Sequence, residues 1–233
     1  MTTNFDSIKI INGLSRARIQ PYLALHATKN DDNAIKCYIA LQEISSHFFV
    51  ILQLLEITLR NNINEAFLTH TKNSKWYESY PTSTESIDMV ANAKKKATKD
   101  FKHKTVSYND DDVICRLTFG FWVYLFESRY RGDQFWQKNI DHIFQGRNKK
   151  KLSYLFSEFQ KANTLRNRLY HHEPIWKDKK NKNMRLRDAI KILESKYNDI
   201  LSLLEYCSPN KRLLISEFDL PNKFKICCEK YKT

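Results

Sequence analysis

Apolar residues recur along most of the chain at intervals of three or four positions, the period of an amphipathic helix. The clearest such stripe predicts a long helix over residues 34–70 and consists of Ile39, Ile44, Phe48, Ile51, Leu52, Leu55 and Leu59. A second stripe predicts a helix over residues 184–206 and consists of Leu186, Ile190, Leu193, Tyr197, Ile200 and Leu204. Both stripes are expected to face a buried core.

Polar residues indicate where two further helices begin. Ser83 or Thr84 can cap a helix over residues 85–101, because a hydroxyl at this position accepts a backbone N–H that the helix leaves unbonded. The run Asn109–Asp112 can cap the next helix in the same way. That helix is expected to continue through residues 117–126, which are apolar on nearly all sides and should lie centrally in the fold.

Two more helices are predicted over residues 133–145 and 149–172. Proline disfavours helical geometry at the residue before it, so Pro174 should end the second of these helices near His171 or His172.

The remaining segments are shorter or more polar. Residues 71–84 and 177–183 are predicted to be loops, and residues 1–33 and the tail after Pro209 short elements joined by turns. The chain has only 4 glycines and 5 prolines, which suits a helical protein.

The predicted fold class is therefore all-α. We expect a helical bundle of about five main helices with short extra helical elements. No linker is apparent, so a single domain over residues 1–233 is predicted. Its core should span about residues 34–206, with N-terminal and C-terminal extensions packed on it.

The charge of the chain favours an anionic partner. There are 39 Lys and Arg against 26 Asp and Glu, a formal net charge of +13. Such an excess suits nucleic acid or an anionic membrane surface, although a solvated basic surface without a dedicated partner explains it equally well. Candidate contacts to an RNA backbone are Lys94, Lys95, Lys96, Arg168, Lys177, Lys179 and Lys180.

Cysteine usage and the N-terminus suggest the compartment. The five cysteines are odd in number and lack zinc-ligand spacing, which predicts reduced thiols and no metal. The first residues lack the regions of a signal peptide, and the apolar runs are shorter than a membrane span. A cytoplasmic protein with no membrane partner is expected.

The segment 165–176 carries the strongest candidate chemistry. Arg166 can bind a phosphate, and His171 or His172 can transfer a proton near neutral pH. The side chain of Asn167, four residues before His171, lies on the same helical face. Arg166 and His171 are five residues apart, about 140° round an ideal helix. They can meet one phosphate only if Arg166 reaches across, the helix end distorts, or a second subunit completes the site.

Such residues could cleave RNA without a metal or other cofactor. His171 could take the proton of the ribose 2′-OH, or a protonated histidine could supply one to the leaving 5′-oxygen. Arg166 would offset the charge that develops on the phosphate, and Asn167 could orient His171 or hydrogen-bond the phosphate. Structural roles explain the same residues: Arg166 could pair with an acid on a neighbouring helix, and the histidines could favour the helix C-terminus as cations.

A second group of polar residues lies in segment 55–64. Glu56 and Arg60 are four apart, and an ordinary stabilising ion pair between them is the favoured interpretation. The alternative is that Arg60 or Asn61 lines the same cleft as Arg166.

Three segments resemble a known family. Arg166–His171 matches the Arg-polar-x3-His signature of the HEPN superfamily, and residues 172–176 extend the match to its Abi-like (abortive infection) branch. Residues 117–122 and 55–61 resemble segments of that branch in the same order. The resemblance spans roughly residues 36–206.

The resemblance implies a HEPN-like helical domain, usually a homodimer, that acts as a metal-independent endoribonuclease in phage defence. The catalytic residues implied by position are Arg166, Asn167 and His171. The family includes toxins held inactive by a protein or RNA antitoxin, and members that bind RNA without cutting it, as a sensor or a regulatory partner. Accessory candidates near the motif or in the second segment are His172, Glu173, Glu56, Arg60 and Asn61.

Overall fold

The computed structural model describes residues 5–177 and 184–232. Every regular element in these two ranges is helical, and neither range contains a β-strand, which confirms the all-α prediction. Short 3₁₀ helices span Gln20–Leu25 and Ser128–Tyr130. The α-helices are α1 (Ser7–Leu14), α2 (Arg16–Ile19), α3 (Asp31–Ser46), α4 (Phe48–Thr71), α5 (Trp76–Ser79), α6 (Thr84–Phe101), α7 (Asp110–Ile114), α8 (Phe119–Tyr124), α9 (Gln134–Ile143), α10 (Leu152–Tyr170), α11 (Leu186–Cys207), α12 (Pro209–Glu217) and α13 (Leu220–Lys230).

The chain forms two compact units that are interleaved in sequence. Unit 1 consists of Met1–Ile51, Asn167–Leu201 and Leu213–Thr233. Unit 2 consists of Leu52–Arg166 and Ser202–Arg212. The boundaries between the units fall within four helices, α4, α10, α11 and α12, so each of these helices contributes residues to both units.

Aromatic rings make up much of the core of unit 1. Phe224 of α13 stacks on Tyr197 of α11 with ring centroids 3.8 Å apart, and Phe48 meets both rings edge-on. Tyr22 packs against Trp176 at 5.3 Å, which anchors the segment that follows α10. Contacts of this kind stabilise a core beyond the area they bury.

Unit 2 is built round a larger aromatic cluster. Phe67 of α4 lies between Trp76 and Phe135, with centroid distances of 4.1 and 3.7 Å. Trp136 donates its indole N–H to the Leu125 carbonyl at 2.8 Å, so its polar atom is satisfied inside the core.

The N-cap predictions are confirmed. The Ser83 hydroxyl accepts the Ser86 N–H at the start of α6. Asn109 begins α7 with a full capping box, in which its side chain accepts the Asp112 N–H and the Asp112 carboxylate accepts the Asn109 N–H.

The helix predicted over residues 34–70 is interrupted at His47. The hydroxyls of Ser45 and Ser46 donate to the carbonyls of Leu41 and Glu43, one turn earlier. Side-chain bonds of this kind compete with the helical ladder and bend helices. The prediction of one uninterrupted helix was therefore wrong, and α3 and α4 replace it.

Three other local expectations also differ. Ile39, assigned to the buried stripe, is 54% exposed. The predicted helix through residues 117–126 is two short helices, α7 and α8, because the Thr118 hydroxyl caps a new helix by accepting the Phe121 N–H. The predicted loop 71–84 contains α5, whose Trp76 is buried. For the other predicted loop, 177–183, all but its first residue lie outside the described residues.

One stretch of the described chain, Asp31–Thr71, is long and apolar enough to cross a membrane by length and composition alone. Its apolar window is 44% buried inside the protein, and the core helix of a soluble protein passes the same test. The finding by itself is weak support for a membrane span.

Candidate functional site

The helix that carries the motif ends in a Schellman turn. Tyr170 is the last residue of α10, and His172 has a left-handed backbone with φ of 57°. The His172 N–H donates to the Leu169 carbonyl at 3.0 Å, and the Glu173 N–H donates to the Arg168 carbonyl at 2.8 Å. This pair of bonds defines the motif and satisfies carbonyls that the helix leaves unbonded.

Two arginines fix the turn from outside. Arg18 Nη1 donates to the His172 carbonyl at 2.9 Å. Arg168 donates to the Pro174 carbonyl and pairs with the Glu173 carboxylate at 3.4 Å between Nε and Oε2. Arg168, a candidate RNA contact, thus holds the turn. Arg18 does the same, although no feature of the sequence around it predicts this role.

The imidazoles of His171 and His172 take no part in this hydrogen-bond system. Both residues are exposed, and neither imidazole makes a hydrogen bond or ion pair with any residue that the structure describes. The carbonyls of Asn167, Arg168 and Leu169 instead accept backbone N–H groups. The histidine side chains are therefore not needed to cap the helix.

Arg166 and Glu56 form an ion pair within unit 2. Arg166 Nε donates to Glu56 Oε2 at 3.2 Å, and the two side chains are 26% and 21% exposed. The expected ion pair between Glu56 and Arg60 is absent from the described residues, and Arg60 Nε instead donates to Asn61 Oδ1 at 3.1 Å. The structure thus joins the two polar segments through Glu56.

The motif residues belong to different units. Arg166 is the last residue of the first segment of unit 2, whereas Asn167, His171 and His172 belong to unit 1. Asn167 is exposed and makes further contacts of its own.

The basic candidates differ in their surroundings. Lys94 pairs with Glu78 at 2.5 Å, and this hydrogen bond raises the pKa of the lysine. Lys95, Lys96 and Lys177 are exposed. The remaining two candidates lie outside the described residues; they are Lys179 and Lys180.

An aromatic pair includes one residue of the motif segment. The ring of Phe49 stacks on that of Tyr170, with centroids 5.1 Å apart and planes at 19°. The two residues are 48% and 38% exposed. A sequence signal for this was present: Phe48, Phe49 and Val50 are three successive apolar residues on one helix, and they cannot all face the core.

The cysteines are all free, and four of them are buried. Burial raises the pKa of the Cys228 thiol to about 12, so this group is a poor nucleophile. In the part of the chain that the structure describes, no three His, Cys, Asp or Glu side chains are grouped as a metal site would require.

Compared with protein-family models, curated proteins and solved structures, the chain shows no match. The resemblance to HEPN proteins therefore rests on the motif segments alone, and the activity that it implies is a proposal.

Proposed function

We propose that this protein is a metal-independent endoribonuclease of the Abi-like HEPN type, a toxin-type protein of phage defence. The proposal also takes the helical bundle to be HEPN-like, with about five main helices. Three observations support the proposal: the net charge of +13, the motif from Arg166 to His171, and the exposure of His171 at the end of α10.

The observation that carries the proposal is the state of His171. Its imidazole is exposed, while the backbone that bears it is held by the turn at His172 and by Arg18. A histidine that only capped the helix would bond to its last carbonyls. A rigid backbone with an accessible imidazole suits a general acid or base better.

The reaction needs only groups of the RNA and of the protein. His171 takes the proton of a ribose 2′-OH, and O2′ forms a bond to the adjacent phosphorus. The bond from phosphorus to the 5′-oxygen breaks, and a protonated imidazole gives that oxygen a proton. The products are a 2′,3′-cyclic phosphate and a 5′-hydroxyl. Arg166 offsets the charge on the phosphate, and Asn167 orients the imidazole or the phosphate.

The active form in this proposal is a homodimer. Arg166 and His171 would diverge by about 140° on an ideal helix, so this proposal assigns the two groups of one site to different copies. In a symmetric dimer, Arg166 of one copy can complete the site of His171 in the other. Accessory roles beside this pair fall to His172, Glu173, Glu56, Arg60 and Asn61.

The direct test is cleavage of total cellular RNA in EDTA by the purified full-length protein. We expect new RNA ends that carry cyclic phosphate. His171→Ala should cleave at least about 100-fold more slowly, because general acid–base catalysis contributes that much. A parent protein that leaves the RNA intact contradicts the proposal.

His172→Gly is the matched control. Glycine accepts the left-handed backbone of this position, so the variant removes the neighbouring imidazole and keeps the turn. It should retain most of the cleavage if His171 is the acid or base and His172 only assists. Loss of cleavage in this variant alone would assign the chemistry to His172 instead.

A non-catalytic RNA-binding protein, acting as a sensor or regulatory partner, is the second candidate function. The ion pair between Arg166 and Glu56 favours it, since the motif arginine already has a carboxylate partner. This function predicts RNA affinity that falls with salt and survives Arg166→Ala. A large loss of affinity in that variant counts against it.

In cells, the toxin proposal places the protein in the cytoplasm, restrained by a protein or RNA antitoxin. Induced expression without the antitoxin should arrest growth, and His171→Ala should relieve the arrest. Growth that is unaffected by the parent protein at matched expression would contradict the toxin role.

A further inference from the structure

The stacked pair Phe49 and Tyr170 includes a residue of the motif segment, because Tyr170 directly precedes His171. Both rings belong to unit 1 and lie nearly parallel, yet each residue is more than a third exposed. Val50, next to Phe49, is also 46% exposed. A contiguous exposed apolar patch, unlike a single exposed side chain, can mark a binding site.

The turn that follows Tyr170 carries an imidazole and is bonded by a guanidinium. Tyr170 directly precedes His171, and Arg18 donates to the carbonyl of His172, two residues after Tyr170. A flat aromatic surface, an imidazole and a guanidinium thus lie at one turn of the chain. These are the groups that bind the base and the phosphate of a nucleotide.

We propose that Phe49 and Tyr170 form a platform on which an unpaired base of single-stranded RNA stacks. The inference rests on the proposed function in taking RNA as the ligand, and it names the form of RNA that is recognised. Bases in a duplex are stacked on one another and do not offer their faces to a protein. The platform therefore selects single strands, loops or ends.

The same aromatic surface could bury itself against a protein, but the charge of the chain favours a polyanion. The net charge is +13, and Arg18 places a cation on the turn that follows Tyr170. Electrostatic attraction brings the RNA backbone to this surface, and stacking then retains a base.

The test measures RNA affinity in the full-length protein carrying His171→Ala, so that the probes stay intact. The probes are a single-stranded RNA of about 12 nucleotides, the same strand in a perfect duplex, and an abasic strand of equal length. Tyr170→Ala and Phe49→Ala should each weaken binding of the single strand about 10-fold. Affinity for the abasic strand should not change.

Two further variants make the test specific. Tyr170→Leu keeps an apolar side chain without an aromatic face and should lose affinity as Tyr170→Ala does. Tyr154→Ala removes a tyrosine of matched exposure, 40%, from earlier in α10 and should bind all three probes normally. Thermal unfolding of each variant verifies that it is folded.

Unchanged affinity in the two alanine variants overturns the platform, as does an equal loss on the abasic strand. Dissociation of a dimer by Phe49→Ala with RNA affinity unchanged also overturns it, since the pair is then a protein interface. Base-dependent binding without RNA cleavage by the parent protein upholds the platform and refutes only the nuclease. Cleavage by the parent protein, together with normal RNA binding by Tyr170→Ala and Phe49→Ala, refutes the platform and upholds the nuclease.

Discussion

His172 has a backbone conformation that few side chains adopt. Its φ of 57° completes the Schellman turn, a position at which glycine is preferred because it lacks a Cβ. The left-handed backbone of His172 costs conformational free energy, and the hydrogen bonds of the turn and of Arg18 hold it in place.

The first prediction compares two variants that both remove this imidazole. His172→Gly should be more stable than His172→Ala by about 1 kcal/mol, because the Cβ of alanine makes the left-handed backbone sterically unfavourable and glycine has no Cβ. Urea unfolding of the two proteins measures the difference. Equal stability would mean that the turn relaxes in the alanine variant.

A second prediction concerns the ion pair between Arg166 and Glu56. Both side chains are about three-quarters buried, so removing either one leaves a charge with a lost partner. Glu56→Ala and Arg166→Ala should each destabilise the protein, and the double variant should cost about 1 kcal/mol less than their sum. A double-mutant cycle from denaturant unfolding measures this coupling. If the two losses of stability simply add, the ion pair contributes no interaction energy.

At the scale of elements, loop positions can be as constrained as the core. Gly146 follows α9, and its N–H donates to the Tyr206 carbonyl at 3.0 Å. A Cβ on Gly146 would lie 2.3 Å from the Glu205 carbonyl oxygen, a separation that no real contact permits. The absence of a side chain lets this loop bond directly to the end of α11.

The third prediction follows from this close approach. Gly146→Ala should destabilise the protein by about 2 kcal/mol, because backbone rather than a flexible side chain must move. Gly132→Ala is the control, since nothing lies within 4 Å of its added Cβ. Thermal unfolding compares the two, and similar melting temperatures would show that the loop shifts freely.

At the scale of the whole molecule, one buried and one half-buried phenol link stability to pH. Tyr80 and Tyr77 donate to Asp133 and Asp110, each at 2.7 Å. Burial raises the pKa of both phenols well above the usual range, and the hydrogen bonds to the aspartates add a smaller increase. The folded protein therefore keeps two protons that the unfolded chain releases near pH 10.

The fourth prediction is a loss of stability in alkali. The contribution of each phenol is complete below about pH 10 and is lost as the pH rises toward the folded-state pKa, at about 1.4 kcal/mol per pH unit. The free energy of unfolding should therefore fall between about pH 10 and 11. The free energy of unfolding of Tyr80→Phe should fall less steeply with pH than that of the parent protein. Parallel declines would show that the phenol ionises equally in both states.

The sequence by itself determined the features that depend on near neighbours. The all-helical class follows from the spacing of apolar residues, and the caps at Ser83 and Asn109 follow from bonds that reach three residues along the chain. The end of α10 near His171 follows from Pro174. The break at His47 also has a local cause in its serines, but a weak one that the apolar period obscured.

Only the tertiary structure decided which distant residues meet. Glu56 could pair with Arg60 four residues away, yet its partner is Arg166, 110 residues later. Arg18 bonds to the His172 carbonyl across 154 residues. Local pattern fixes which face of a helix is apolar, whereas packing chooses the helix that faces it. That choice placed an ion pair on the motif arginine.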